Sequence, residues 1–274
     1  MDSDEPLAIS APIARKLSQE TCNGCGWYHG LWQYLRIFDM VSTPARHSAF
    51  YRDAQLSTGL SGLHRILIVG NADYGMLAQV LNALGSDVKI TAIDLCDTPL
   101  ALCRWYAERR HATVRTDVAD ITHYVAAEPF DLICTHSLLG RFTPSERRKV
   151  IAACCRLLRR GGRFVTVNRV APLPADETVT FGADQILEFE NQVVAAARAH
   201  ADLALDLEEL ASDAREYARL YRNHPIHSRD EFTYLITNGG LRIETVQGVE
   251  MTGGRRGPST KQTAEYAHLV AIRD

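Results

Sequence analysis

The residues best placed by type and spacing to do chemistry stand at the ends of short apolar runs. Arg65-Ile66-Leu67-Ile68-Val69 runs into Gly70, and Asn71, Ala72, Asp73, Tyr74 and Gly75 follow. Small residues in such a turn let a ligand approach the backbone, and a helix starting there offers free N–H groups. A second run, Asp87 to Asp94, ends in a carboxylate 24 residues after Gly70. An acid in that position can accept hydrogen bonds from both hydroxyls of a ribose. Asp117 and His136 come at the ends of two further runs, around Ala112–Arg115 and from Phe130 to His136. An imidazole, with a reference pKa of about 6.5, suits general-base work near neutrality.

These residues need a scaffold, and the chain's periodicity supplies one. The apolar, partly β-branched runs suit parallel strands covered on both faces. Met76, Leu77, Val80, Leu81 and Leu84 share one helical face after the first strand. Thr98 with Pro99 marks the start of a second helix. Thr143-Pro144-Ser145-Glu146 is a capping box opening a helix expected to reach about Arg160, where Gly161-Gly162 ends it and a fifth strand runs to Asn168. Residues 169–180 read as a linker and residues 181–222 as a helical hairpin. Ser228 and Glu231 cap another helix. Arg242–Val246 and His268–Ile272 read as two last strands, joined through a turn at Gly253–Pro258. Ahead of the sheet, residues 1–11 read as irregular, with helices expected over Pro12–Gln19 and Pro44–Leu56. Between them lies the densest aromatic segment, with Trp27, Tyr28, Trp32, Tyr34 and Phe38.

At this point the sequence resembles the class I S-adenosylmethionine-dependent methyltransferases of small-molecule type. The residues that carry the resemblance are Ile66–Gly70 with Ala72 and Gly75, Asp94, the pair Asp117-Val118, the block Phe130–Cys134, and Leu157–Val165. It covers roughly residues 60–170 and, more weakly, 228–274. The glycine loop departs from the family's Gly-x-Gly-x-Gly: Ala72 takes the second glycine's place and Gly75 comes one place late. Ile68 stands where the family often has an acid. The resemblance implies a Rossmann-like, doubly wound α/β fold. Its seven-stranded sheet is mostly parallel with the last strand antiparallel. An N-terminal helical cap over residues 1–60 precedes a domain over 61–274, and a lid-like helical insertion follows strand five at about 175–227. It further implies that Gly70, Asn71, Ala72 and Asp73 approach the methionine part of S-adenosylmethionine, and that Asp94 holds the ribose. Leu95 would pack on the adenine, Asp117 and Val118 would bind its edge, and His136 and Ser137 would close the site.

For catalysis, methyl transfer needs a positioned nucleophile and sometimes a base, and leaves S-adenosylhomocysteine. His136, His29 and Tyr28 are the candidates, with His224 and His227 as competitors. The acceptor is expected to be a small molecule recognised by the aromatic cap and the hairpin, with an oxygen, nitrogen or sulfur nucleophile. Three alternatives stay open: S-adenosylmethionine chemistry other than methylation, a non-catalytic binding subunit, and a nicotinamide-dependent oxidoreductase. The last would want Gly-x-Gly-x-x-Gly, of which only the outer glycines are present.

Composition narrows the field. Of 274 residues, 46% are hydrophobic and 23% charged, and Lys+Arg 30 against Asp+Glu 33 gives a net charge of −3. No basic stripe favours nucleic acid, and no apolar run is long enough to span a membrane. The acidic start Met1–Glu5 does not suit a signal peptide, so a cytoplasmic location is expected. Assembly as a homodimer is left open. Seven cysteines, an odd number, suit reduced thiols. Cys22-x-x-Cys25 with His29 lacks a second Cys-x-x-Cys. His47 could complete a set but nothing demands it, so no metal is assigned.

Overall fold

A computed structural model of the chain describes residues 6–57, 64–171, 178–251 and 264–274. Seven strands form one sheet: β1 (Arg65–Val69), β2 (Lys89–Asp94), β3 (Val114–Val118), β4 (Phe130–His136), β5 (Leu158–Val170), β6 (Arg242–Met251) and β7 (Ala264–Ile272), in the order β3-β2-β1-β4-β5-β7-β6. β1 to β5 pair in parallel, and β7 lies antiparallel between β5 and β6. This is the Rossmann-like arrangement expected from the sequence.

The sheet is double-sided, and β1 shows why. Ile66 and Ile68 enter one core with the helices α3 (Ser48–Leu56), α4 (Gly75–Leu84) and α5 (Asp97–Arg109). Leu67 and Val69 enter the opposite core with α6 (Pro144–Leu157) and α9 (Arg229–Asn238). Successive side chains of a strand point to opposite faces, so a run apolar at every position can only be a strand covered on both. The register pairs Val69 with Ile93, Ile93 with Asp117 and Asp94 with Val118. One sheet edge thereby collects the end of every central strand.

A third core lies outside the sheet. Helix α2 (Gly26–Ile37) packs Leu31, Tyr34 and Leu35 against Phe189 and Val193 of α7 (Ala183–Ala199), and against Leu210, Ala214 and Tyr217 of α8 (Leu207–Leu220). The aromatic segment and the hairpin after β5 are thus one packed unit, with Ala11 of α1 (Leu7–Thr21) in the same core.

Several boundaries differ from the sequence reading. α1 starts at Leu7 and carries Pro12 inside it, where the sequence suggests an irregular stretch up to Pro12. Pro at that depth removes one intrahelical donor, and the buried residues Ser10, Ala11, Ala14 and Ser18 give the helix its packed face. α6 ends at Leu157 and β5 begins at Leu158, three residues before the glycines. Arg159 and Arg160 are therefore strand, and Gly161 (φ +73°) makes an irregularity within it. α5 begins at Asp97 rather than after Thr98. The capping box is present: Thr143 N–H donates to Glu146 Oε2 at 2.8 Å. Ser228 Oγ accepts from Glu231 N–H at 3.0 Å. The 253–258 turn, and most of the 169–180 linker, lie outside the described residues.

The joint between α2 and the sheet is a buried ion pair. Arg36 Nη1 stands 2.5 Å from Asp73 Oδ2, with both side chains 4% exposed. Asp73 Oδ1 accepts the Gly75 N–H at 2.7 Å, tying the same carboxylate to the first turn of α4. Removing one partner of a buried pair strands the other charge, at a cost of about 3–5 kcal/mol. Arg36→Met should therefore lower the thermal midpoint by several degrees, and adding Asp73→Asn should recover part of the loss. Circular dichroism melts of the two variants test this; a single variant as stable as the parent would show that the pair does not hold the cap.

Candidate functional site

At the carboxyl ends of β1, β2 and β4 lies a cavity of about 280 Å³, roofed by α2. Gly70, Asn71, Ala72, Asp73, Asp94, His136 and Ser137 line it, as do Tyr28 and His29. Leu95, Asp117 and Val118 lie beyond its wall, along the same sheet edge. Leu95 is 71% exposed and Val118 59%, so two apolar side chains stand open beside the ends of β2 and β3.

Each floor residue has a local reason for its place. Gly70 has φ +71°, and a Cβ there would come within 2.3 Å of Leu138 Cδ1. Only glycine keeps both the turn and the contact between the β1 and β4 ends. Asn71 donates its side-chain N–H to Ile93 O at 3.2 Å. Its buried Oδ1 has no hydrogen-bond partner among the described residues and lies in the cavity wall. Asp94 accepts from Asn71 N–H and Cys96 N–H, each at 2.9 Å. Burial raises its pKa, and those two amide donors work against the rise. Asp73 faces the cavity but its carboxylate is committed to Arg36 and α4. Asp117 accepts from Tyr124 Oη at 2.8 Å and pairs with Arg115 at 3.0 Å.

His136 belongs to a cluster that the sequence does not reveal. Tyr51 Oη donates to Thr135 O at 2.8 Å, so its only proton is used, and it can meet His136 Nδ1 at 3.1 Å only as an acceptor. His136 is thereby assigned Nδ1–H, with its Nε2 lone pair facing Ser42 Oγ at 3.3 Å. Ser42 also reaches His47 Nε2 at 3.2 Å, and His47 Nδ1 lies 2.9 Å from His268 Nε2. Burial drives these imidazoles toward neutrality: His136 well below its ordinary value, His47 down to about 3, and His268 lowered. The neighbouring histidine adds to the effect at His136 and His47.

Tyr28 and His29 occupy opposite surroundings. Tyr28 stacks on Tyr217 (6.0 Å between centroids), packs against Trp32 (5.1 Å) and lies 4.8 Å from the Arg141 guanidinium. Burial raises the Tyr28 pKa, with Arg141 opposing, so the phenol stays protonated and acts as a donor. His29 Nδ1 is 3.4 Å from Cys22 Sγ, which is itself 3.5 Å from Cys96 Sγ. The ligand atoms of Cys22, Cys25, His29 and Cys96 all lie within 4.8 Å of one another. Burial opposes ionisation of the Cys96 thiol, but hydrogen bonds from His29 and Thr98 bring it down to about 6. Of the competing histidines, neither His224 nor His227 lines the cavity.

A second cavity of about 110 Å³ shares Trp32, Ser137 and Arg141 with the first. Ser42, Asn168, Tyr217 and Tyr221 also line it. Sequence reasoning misses Arg36, Arg141, Ser42 and Cys96 as site residues. Arg36 had a signal, since it follows His29 and Trp32 at helical spacing; Arg141 is a lone cation in a short helical turn after β4.

Residues 38–162 match the model of a methyltransferase domain. The match spans β1 to β4 and the start of β5. The chain's fold is shared with the N-methyltransferase NodS from Bradyrhizobium japonicum WM9, solved with S-adenosyl-L-homocysteine. That likeness has a TM-score of 0.54 at 13% identity and covers 98% of this chain and 100% of the other. The 1,6-didemethyltoxoflavin-N1-methyltransferase of Burkholderia thailandensis is similar at a TM-score of 0.53 and 18% identity, over 84% of this chain and 81% of the other. By sequence, the polyamine aminopropyltransferase of Sodalis glossinidius (strain morsitans) is 28% identical over 163 residues, 54% of this chain and 56% of that protein. The chain spans about half the length of the curated relatives it matches. No described helix is long and apolar enough to cross a membrane.

The histidine cluster beside this cavity sets a pH dependence. A folded-state pKa near 3 for His47, against an ordinary 6.5, means that the unfolded chain takes up a proton that the native one refuses. Stability from this group is full above about pH 6.5 and is lost as pH falls toward 3. Between pH 7 and 5 the loss is about 2 kcal/mol for one such imidazole. His47→Asn should flatten the fall of unfolding free energy over that range by a comparable amount. Denaturant titrations at pH 7, 6 and 5 measure it, and parallel curves for parent and variant would refute the neutral cluster.

Proposed function

We propose that the protein methylates a small-molecule acceptor bearing an acidic group, using S-adenosylmethionine. The observation that carries this reading is a pair of cavities that share Trp32, Ser137 and Arg141. One lies over the strand-end glycine and acid; the other is aromatic-walled, and Arg141 lines both. The residues present suit the cofactor. Gly70 leaves the backbone open to close approach, and the unpartnered Asn71 Oδ1 can accept from an ammonium. Asp94 has lone pairs left for ribose hydroxyls after its two backbone bonds. Leu95 and Val118 offer apolar surface to an adenine, with Asp117 at the strand end beside them. When bound, S-adenosylmethionine supplies a methyl group activated on a sulfonium.

The chain's own task is then to bind, orient and deprotonate. Arg141, ringed by Tyr28 and Tyr221 at 4.8 and 5.3 Å, fits an acceptor carboxylate or similar anion. The Tyr28 hydroxyl, kept protonated, serves as a donor to the same molecule. His136 Nε2, unprotonated across the neutral range, takes the nucleophile's proton directly or through Ser42 Oγ. Aromatic walls from the cap and hairpin keep water from the sulfonium.

The partial likeness to polyamine aminopropyltransferases favours a second reading, transfer of an aminopropyl group. Against it stands Arg141, whose fixed positive charge would repel a polycationic acceptor. The two readings differ in product, since methyl transfer leaves S-adenosylhomocysteine and aminopropyl transfer leaves methylthioadenosine.

Calorimetry should show S-adenosylmethionine and S-adenosylhomocysteine binding in the micromolar range or better, about −8 kcal/mol. Asp94→Ala should weaken both at least tenfold, as loss of charge-assisted bonds worth about 1.5–3 kcal/mol each implies. Its circular dichroism should remain that of the parent. Binding of a nicotinamide dinucleotide but of neither sulfonium nor thioether would overturn the reading. So would an Asp94→Ala protein that binds as tightly as the parent.

A further inference from the structure

The thiol–imidazole cluster at the wall of the cavity has no part in the methyl transfer proposed above, and its composition and geometry point to a separate role. Cys22 and Cys25 flank a tight turn in which Gly24 takes φ +85°, a conformation that costs a glycine little. That turn brings both sulfurs to the same side, ahead of α2. His29, one helical turn after Cys25, adds its Nδ1. The fourth donor, Cys96, comes from the turn between β2 and α5, 67 residues further along the chain.

A tetrahedral zinc ion with Zn–S bonds of about 2.3 Å and Zn–N of about 2.0–2.1 Å places its donors some 3.5–3.8 Å apart. The observed separations are 3.4 Å for Cys22 Sγ to His29 Nδ1 and 3.5 Å for Cys22 Sγ to Cys96 Sγ, and all four donor atoms lie within 4.8 Å of one another. Three sulfurs and one imidazole nitrogen are a donor set that zinc prefers, and four leave no open position. The second layer is in place too. Thr98, fully buried, sets its hydroxyl 3.1 Å from Cys22 Sγ and 2.7 Å from Thr21 Oγ1. A hydroxyl there can hydrogen-bond a thiolate and fix its direction.

We propose that Cys22, Cys25, His29 and Cys96 bind one Zn²⁺ ion as a closed structural site that clips the helical cap to the cofactor end of β2. Loading displaces to solvent whatever protons the three sulfurs and the ligating His29 nitrogen still carry, so that the metal meets thiolates and a neutral imidazole. The site acts on the cavity through one residue. Cys96 donates its backbone N–H to Asp94 Oδ1, so the same residue whose sulfur holds the metal also orients the ribose-end carboxylate. The site stands whether or not the acceptor is as proposed above, because nothing in it depends on the substrate.

Metal analysis of the full-length protein, purified from zinc-supplemented cells without chelator, should find about one zinc per chain. Replacing zinc by cobalt should give the intense visible bands of a tetrahedral, sulfur-rich site and near-ultraviolet sulfur-to-cobalt charge transfer. Cys22→Ser and Cys96→Ser should each lose most of the metal. Cys155→Ser, outside the cluster, should keep it. Chelation should lower the thermal midpoint of the parent and leave that of Cys96→Ser unchanged. Where a variant does not fold, the parent's zinc content and cobalt spectrum decide alone. The proposal is overturned by protein holding far less than one zinc with no cobalt spectrum. It is equally overturned by full zinc retention in Cys96→Ser, or by peptide mapping that finds Cys22 in a disulfide with Cys25 or Cys96.

Discussion

The Arg36–Asp73 ion pair is the constraint on which the rest of the site depends. Both groups are out of water, so neither can lose the other without leaving a charge unsolvated. The pair therefore forbids α2 from drifting off the glycine turn, and the aromatic face of α2 is held over the ends of β1 and β4. It also explains the odd glycine spacing. A Cβ on Gly75 would stand 3.1 Å from Asp73 Oδ1, tighter than most side chains approach, and in ordinary contact with Arg36 Nη1 at 3.4 Å. The glycine that comes one place late in the family pattern leaves room for the Asp73 oxygen that accepts its own N–H. Gly70 is the tighter position, since its φ of +71° and its contact with Leu138 admit no side chain.

With the cap fixed, the hairpin follows. Tyr217 of α8 packs on Tyr28, Trp27 and Phe189, so α2, α7 and α8 share one aromatic core rather than covering the sheet separately. Arg141, at the end of a short helical turn after β4, lies over both Tyr28 and Tyr221. Cation–π contacts of this kind contribute about 0.5–2 kcal/mol each. Here they also hold a guanidinium in a position where it borders both cavities. The cap, the hairpin and the segment after β4 thus meet at one residue.

How much of this was legible in the sequence follows from the separation of the interacting residues. β1, β2 and β4 were readable because a strand buried on both faces is apolar at nearly every position, as Ile66–Val69 and Leu132–Cys134 are. The Gly70 turn and the Asp94 end of β2 were readable for the same reason. The Leu157–Arg160 boundary was not, because an apolar pair followed by two arginines suits a helix end and a strand start equally well. Nor could sequence find clusters assembled across distance. His47, His136 and His268 come from a short helical turn, β4 and β7. Cys96 reaches the Cys22–His29 segment only because β2 ends beneath α2. An apparent three-donor motif with no partner in sequence became a four-donor cluster in space.

The charges along the two cavities finally bear on which nucleophiles the site can serve. Asp94 lies at the strand-end side and Arg141 lines both cavities, with the neutral His136 lining the first. On the proposed reading Asp94 would hold the ribose of the cofactor, and Arg141 would hold the acceptor's anionic group, in a setting where screening by water is weak. A protonated histidine between them would repel the sulfonium, and the burial that keeps His136 neutral removes that repulsion. The same depression makes His136 a weak base, able to accept a proton only as the nucleophile's acidity rises during bond formation. The histidine chain through Ser42 and His47 to His268 gives that proton a hydrogen-bonded path away from the sulfonium. A nucleophile that already binds without a proton needs none of this. On the proposed reading, the arrangement suits hydroxyl, amide-type or thiol acceptors, which must lose one, better than amines that arrive free.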